Sequence, residues 1–167
     1  MNKFAFHNFS YGVYIVSTLK PDGSLTGCTA NSAIQVTSEN PTFAVSINKL
    51  NYTCECIKNC GKFAVSVLSE NSSPLSIGKM GFFSGKDTEK FDSVPHIIKD
   101  SLPIVEDACA YITCSVTDSI DVGTHTVFFG KVIDAEKLTE DTPMTYAYYH
   151  NVIKGKAPKN APTYVGD

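Results

Sequence analysis

Gly27-Cys28-Thr29-Ala30-Asn31-Ser32-Ala33-Ile34-Gln35-Val36-Thr37-Ser38-Glu39-Asn40-Pro41-Thr42-Phe43-Ala44-Val45-Ser46-Ile47-Asn48-Lys49 holds two strand-like stretches joined by a polar turn at Ser38-Glu39-Asn40-Pro41. The first stretch sets small, hydrogen-bonding residues at Thr29, Ala30, Asn31 and Ser32, where a core strand would alternate with large apolar ones. Such an edge lets a flat polar ligand lie against the backbone and meet donors and acceptors in a row. The run implies a ligand edge without identifying the ligand.

Strand signals dominate on both sides of it. Residues 11–18 are β-branched and aromatic and lead into a turn at Pro21-Asp22-Gly23. Residues 25–36 and 42–48 follow. Residues 62–68 alternate around Phe63, Val65 and Val67, residues 111–117 through Ile112, Cys114 and Val116, and residues 126–133 close the series. Helical signals are short. Residues 51–60 have Asn51 or Thr53 near the start and Gly61 just past the end, and Ser73-Pro74 opens a second helix with serine as cap and proline at its first position. This spacing predicts a mainly β fold, a closed or partly closed antiparallel barrel with a few short peripheral helices.

The 167 residues suit one domain, long enough to bury roughly two thirds of the unfolded surface. Net charge is −3 with lysines interspersed among acids, which argues against a nucleic-acid surface. No apolar run approaches the ~20 residues of a membrane span, and residues 1–10 make a poor signal peptide, so the cytoplasm is the expected location. Cys54, Cys56 and Cys60 fit no common zinc spacing, and Cys28, Cys109 and Cys114 fall in strand-like segments. Free thiols and no metal site are expected.

From residue 144 the character changes, with four tyrosines and two prolines before residue 165. Amphipathic tyrosines and prolines suit an extended tail docked on a surface, such as a partner subunit, and holding a cofactor in place.

Several pieces in shared order carry a resemblance over nearly the whole chain. They are Tyr11-Gly12-Val13-Tyr14-Ile15-Val16-Ser17, Ala30-Asn31-Ser32, residues 44–49, residues 61–68, Glu89-Lys90-Phe91-Asp92, Asp121-Val122-Gly123-Thr124-His125-Thr126, and Thr145-Tyr146-Ala147-Tyr148-Tyr149-His150. In these the chain resembles the flavin reductase-like family with the FMN-binding split β-barrel, and within it the ferric reductases, flavoredoxins and high-molecular-weight rubredoxins. The resemblance implies a Greek-key split barrel and a homodimer with one FMN per subunit. It implies NAD(P)H as reductant, with electrons passing to free flavin, a ferric complex or a redox protein such as rubredoxin. No rubredoxin-like cysteine pair follows the barrel, so an acceptor of that kind is expected on another polypeptide. The alternative is an electron-transfer carrier reduced by a partner protein, without a nicotinamide site.

Carried over by position, Thr29, Ala30, Asn31 and Ser32 are expected to face the flavin ring and ribityl chain, with Ser46, Asn48 and Lys49 as a second wall. A cation at Lys49 would stabilise the reduced anion. Thr53, at a helix start, suits the terminal phosphate, and the same hydroxyl also suits a helix cap. Ser46 stands where the ferric reductases have a cysteine, so thiol chemistry at that wall is not carried over. A histidine at a strand entry is more often structural, but the resemblance places His125 against the nicotinamide nucleotide, as a positioning group. His7, His96 and His150 receive no role.

Overall fold

The computed structural model describes residues 1–164. Residues 25–36, expected as one strand, break at Asn31-Ser32 into β2 (Leu25–Ala30) and β3 (Ala33–Thr37), after β1 (Tyr14–Leu19). That break decides the architecture. The strands β4 (Thr42–Asn48), β5 (Lys62–Leu68), β8 (Ala108–Asp121) and β9 (His125–Lys137) complete a seven-stranded sheet in the order β2-β1-β5-β8-β9-β4-β3. Its two edge strands are therefore joined by only two residues. Consecutive Cα atoms stand 3.8 Å apart, so a flat sheet cannot satisfy that connection and must curl on itself. Every pairing is antiparallel, and Ser46 donates its N–H to the Ser32 carbonyl at 3.0 Å across the break. The product is a split barrel.

Alternation within the strands sorts the apolar side chains. Val16, Val45, Ile47, Phe63, Val65, Ile112 and Phe128 fill the barrel with Ile57 of α1 (Tyr52–Cys60). The neighbouring Ile15 points the other way, to a second cluster with Leu68, Phe91 and Val105, covered by Ile77 and Met80 of α2 (Pro74–Phe82) and by Tyr149 of α3 (Tyr146–Asn151). β8 and β9 run 14 and 13 residues, well past the segments read from alternation, because bulges at Thr113/Cys114 and Val116/Asp118 bend them round the barrel.

The helix ends follow local chemistry. Gly61 closes α1 at φ 70°, its N–H on the Ile57 carbonyl, and Ser73 Oγ caps α2 by accepting from Leu75 N. The hairpin of β6 (His96–Lys99) and β7 (Leu102–Val105) was not anticipated. Asp100 and Ser101 both take positive φ in its two-residue turn, a type I′ geometry usually signalled by Asn-Gly. All six cysteines are free. The tail, expected to be extended, begins instead with α3, capped by Thr145 Oγ1 accepting from Tyr148 N at 3.0 Å. No helix among the described residues is long and apolar enough to cross a membrane.

Candidate functional site

Two adjoining cavities open beside the Asn31-Ser32 break. The first, about 40 Å³, is mainly apolar and lies between β2, the end of β4, α2 and the segment that follows α3. The second, about 190 Å³, is polar and lies between the start of α1, the end of α2 and Lys90. Cys28, Asn51, Gly81, Phe82 and Asn160 line both, so they form one bent groove.

Six of the nine residues singled out from sequence line these cavities, and Ser32, Lys49 and His125 line neither. Thr29, Ala30, Asn31, Ser46 and Asn48 line the apolar cavity, and Thr53, 2% exposed, lines the polar one. Thr29 donates its hydroxyl to the Ile77 carbonyl at 2.9 Å, which ties α2 to β2. Ser32 does not line either cavity; it donates to Asn31 Oδ1 at 3.0 Å and so orients that amide. Lys49 stays at the rim, ion-paired at 2.5 Å with Asp121, whose carboxyl is held below its ordinary pKa chiefly by that lysine. His125 sits opposite Asn48 in the β4–β9 register.

Three contributors were not assigned from sequence. Lys90 is 3% exposed, and its ammonium donates to the carbonyls of Gly27 at 2.7 Å and Met80 at 2.9 Å. Burial pulls its pKa below that of an ordinary lysine, and the Cys28 thiol beside it pulls the other way. Asn51 occupies the N-cap of α1 but makes no side-chain cap; its Oδ1 instead accepts from Asn160 Nδ2 at 3.1 Å. The segment around residues 156–163 lies across the groove, on this chain's own barrel. Lys90 stands inside a quoted motif, yet no periodicity distinguishes a buried lysine from a surface one. Asn51 reads as a helix cap, and its turn toward the groove has no sequence signal.

His125 is held at one ring nitrogen only. Nδ1 lies 2.9 Å from Thr124 Oγ1, while Nε2 is buried without a hydrogen-bond partner. Desolvation lowers its pKa below the ordinary histidine value, partly opposed by the nearby Asn160 carbonyl. The ring is therefore neutral at pH 7. Where the Thr124 hydroxyl donates to Nδ1, Nε2 carries the proton.

Residues 6–156 match the flavin reductase like domain. The chain belongs to this family. A high-molecular-weight rubredoxin of Moorella thermoacetica is 44% identical over 167 residues, covering 98% of this chain and 72% of its own length. A ferric-chelate reductase (NAD(P)H) of Archaeoglobus fulgidus is 42% identical over 162 residues, covering 96% and 95%. Among solved structures, a flavin reductase in its native state superposes with TM-score 0.73 at 30% identity, over 87% of this chain and 93% of that one. The flavin reductase HpaC complexed with NADP+ superposes with TM-score 0.74 at 26% identity, over 86% and 90%.

A flavin reductase-like barrel must fit a planar ring system and an anionic tail, and the residues present do so. The apolar cavity supplies faces for a ring and the amides of Asn31 and Asn48 for its polar edge. The polar cavity supplies the buried Lys90 ammonium, of whose three N–H groups two meet carbonyls. It also supplies the N–H groups of Tyr52 and Thr53 at the start of α1, which the Asn51 side chain leaves uncapped. Gly85 lines this cavity where a Cβ would sit 2.3 Å from Thr26 Oγ1, and Thr26 Oγ1 is itself buried without a partner.

Proposed function

We propose that the protein is an FMN-dependent NAD(P)H oxidoreductase. The observation that carries this reading is the junction of an apolar slot with a polar cavity closed by the buried Lys90 ammonium. A ligand that fills both is flat and neutral at one end and anionic at the other. FMN fits, and FAD is disfavoured because no Gly-rich fingerprint is present to hold a pyrophosphate. When bound, FMN supplies acceptance of a hydride and its release as electrons to an acceptor.

The chain's own residues bind and orient. Thr53, the first-turn N–H groups of α1 and Lys90 hold the phosphate. Asn31, Asn48, Ser46 and the backbone at Thr29 and Ala30 hold the ring and ribityl chain, with Ser32 orienting Asn31. Lys49 places a cation at the rim, partly neutralised by Asp121. His125 is assigned the positioning role, its neutral ring donating from Nε2–H to the nicotinamide carboxamide. Hydride transfer needs donor and acceptor atoms at roughly 3–3.5 Å rather than acid–base help.

The relatives named ferric-chelate reductase and rubredoxin support a ferric complex or a redox protein as acceptor, with free flavin as a third. The working unit is a cytoplasmic homodimer. Exposed Ile34 and Val36 on the edge strand β3, with Ile120 of β8 and Val122 just past its end, give it an apolar contact face. Sedimentation tests the dimer. Anaerobic mixing of the FMN-loaded protein with NADH and with NADPH tests the activity, followed by bleaching of the flavin absorbance. Bleaching by either nucleotide supports the reading. No bleaching by both assigns the barrel to electron transfer from a protein partner.

A further inference from the structure

After α3 the chain turns back at Gly155 and crosses the groove. Lys156, Ala157, Pro158, Asn160, Ala161 and Pro162 all line the apolar cavity. The crossing segment is latched to groove amides. Asn160 donates from Nδ2 to Asn51 Oδ1 at 3.1 Å, and its carbonyl accepts from Asn48 Nδ2 at 3.3 Å. Thr163 Oγ1 accepts from Asn31 Nδ2 at 2.8 Å and donates to the Tyr146 hydroxyl at 3.0 Å. Asn31, Asn48 and Asn51 thus each spend an amide group on this segment.

The segment takes up the polar edge that a ring would use: Asn31 Nδ2, Asn48 Nδ2 and Asn51 Oδ1 are all engaged by it. Pro158 and Pro162 restrict the segment's backbone, and Ala161 N–H closes a turn on the Pro158 carbonyl at 2.9 Å, so little conformational entropy is lost when it docks. Its peptide and side-chain groups present donors and acceptors to the same groove amides that would meet the edge of a flavin.

We propose that segment 156–163 is an internal competitor for the ring half of the groove. Seated on Asn31, Asn48 and Asn51 it excludes the flavin, and flavin seated there excludes it. Loading then requires the strap to lift, and the apparent affinity for flavin is the intrinsic affinity reduced by the fraction of molecules with the strap up. This rests on the assignment of the groove to flavin, and it opposes the expectation that the tail serves only to hold the cofactor in.

The test compares the full-length protein with the double variant Asn160→Ala/Thr163→Val. The substitutions remove three side-chain hydrogen bonds of the latch while leaving the prolines and backbone in place. Two quantities are read: FMN affinity by flavin fluorescence quenching, and deuterium uptake of the peptide covering 156–164 with and without saturating FMN. A chain ending at Gly155 is the second variant, expected to act in the same direction, and circular dichroism confirms that each is folded. Three hydrogen bonds at ordinary net worth make the double variant bind FMN roughly tenfold tighter or more, and faster. In the full-length protein FMN raises deuterium uptake over the strap. FMN uptake by the variants alone supports the proposal equally. Equal or weaker FMN binding by the folded variants, with FMN slowing exchange in the strap, overturns the competitor and makes the segment a wall of an intact flavin site. No FMN uptake by any form overturns the flavin assignment and the competitor with it.

Discussion

Lys90→Met separates a structural lysine from a phosphate ligand. Methionine nearly matches the lysine stem in length and apolar surface, so the substitution removes the charge and donors rather than the packing. In the wild type the ammonium is 3% exposed and already donates to the Gly27 and Met80 carbonyls at 2.7 and 2.9 Å. A third N–H aimed at a phosphate adds one charge-assisted hydrogen bond, worth ~1.5–3 kcal/mol net. At 1.4 kcal/mol per decade that is a roughly ten- to hundredfold weaker FMN complex. Riboflavin shares the ring and ribityl chain but lacks the phosphate, so its affinity should be unchanged.

The pH dependence adds an independent arm. Burial lowers the Lys90 pKa in the free protein, and an adjacent phosphate dianion raises it again. Binding therefore takes up a proton at alkaline pH, and FMN affinity falls as pH rises through the lowered pKa of the free protein. The variant loses that slope, and riboflavin shows none in either form. Fluorescence titration of both flavins across pH decides the matter. Equal weakening of FMN and riboflavin, or unaltered FMN binding by the variant, would refute the phosphate role.

Three further outcomes are expected. His125→Ala should keep its FMN but weaken the nicotinamide nucleotide by ten- to a hundredfold, the worth of a lost hydrogen bond of ~1–3 kcal/mol, read as a raised half-saturation in stopped-flow reduction; normal kinetics with lowered thermal stability would make His125 structural. Because the folded-state pKa of His125 is depressed, the unfolded chain binds more protons between that value and the ordinary histidine pKa, so stability present above pH 6.5 is lost as pH falls toward the folded value. Urea midpoints from pH 7.5 to 5 should therefore drop less steeply in His125→Gln than in wild type. Gly130→Ala should cost ~1–3 kcal/mol by overpacking, since its Cβ would stand 2.6 Å from Phe63 Cε1 and 2.7 Å from Cys114 Cβ; an unchanged denaturation midpoint would contradict the packing.

The strands were legible because their physics is local. Alternation at Phe63, Val65 and Val67 reports a half-buried strand wherever it occurs, and all three lie in β5. The helix stops were legible for the same reason: Gly61 takes the left-handed conformation that a glycine at a helix end announces, and Ser73-Pro74 caps as the pair does elsewhere. What failed was continuity. Residues 25–36 contain no Gly or Pro in their second half, so nothing local marks the break at Asn31-Ser32. The break exists because two opposite edges of one sheet must meet there, a demand set by β4 and β9 far along the chain. The hairpin at residues 96–105 escaped because Asp100-Ser101 adopts a turn usually signalled by Asn-Gly.

The same distinction governs the groove. Thr29 to Asn31 and Ser46 to Asn48 were recognisable as an edge because small polar residues in strands conflict with a packed core, and such conflicts mark function. Lys90 gave no such conflict, since a lysine after glutamate is the ordinary dress of a surface. It becomes conspicuous only when the fold carries it under β2, where an unpaired cation would be costly unless carbonyls and an anion shared it. Asn51 is silent for the opposite reason: its residue type satisfies a helix start, so the sequence carries no sign of a second role. Its side chain declines the cap and faces Asn160, so the N–H groups of Tyr52 and Thr53 are left uncapped beside the polar cavity, while the Cys54 N–H closes on the Asn51 carbonyl at 2.9 Å. A residue that forgoes a stabilising cap of about 1 kcal/mol to leave donors open is itself evidence that an anion is expected there. The groove is thus built from residues whose local choices are individually suboptimal, and only the tertiary arrangement shows that the same ligand would repay them all.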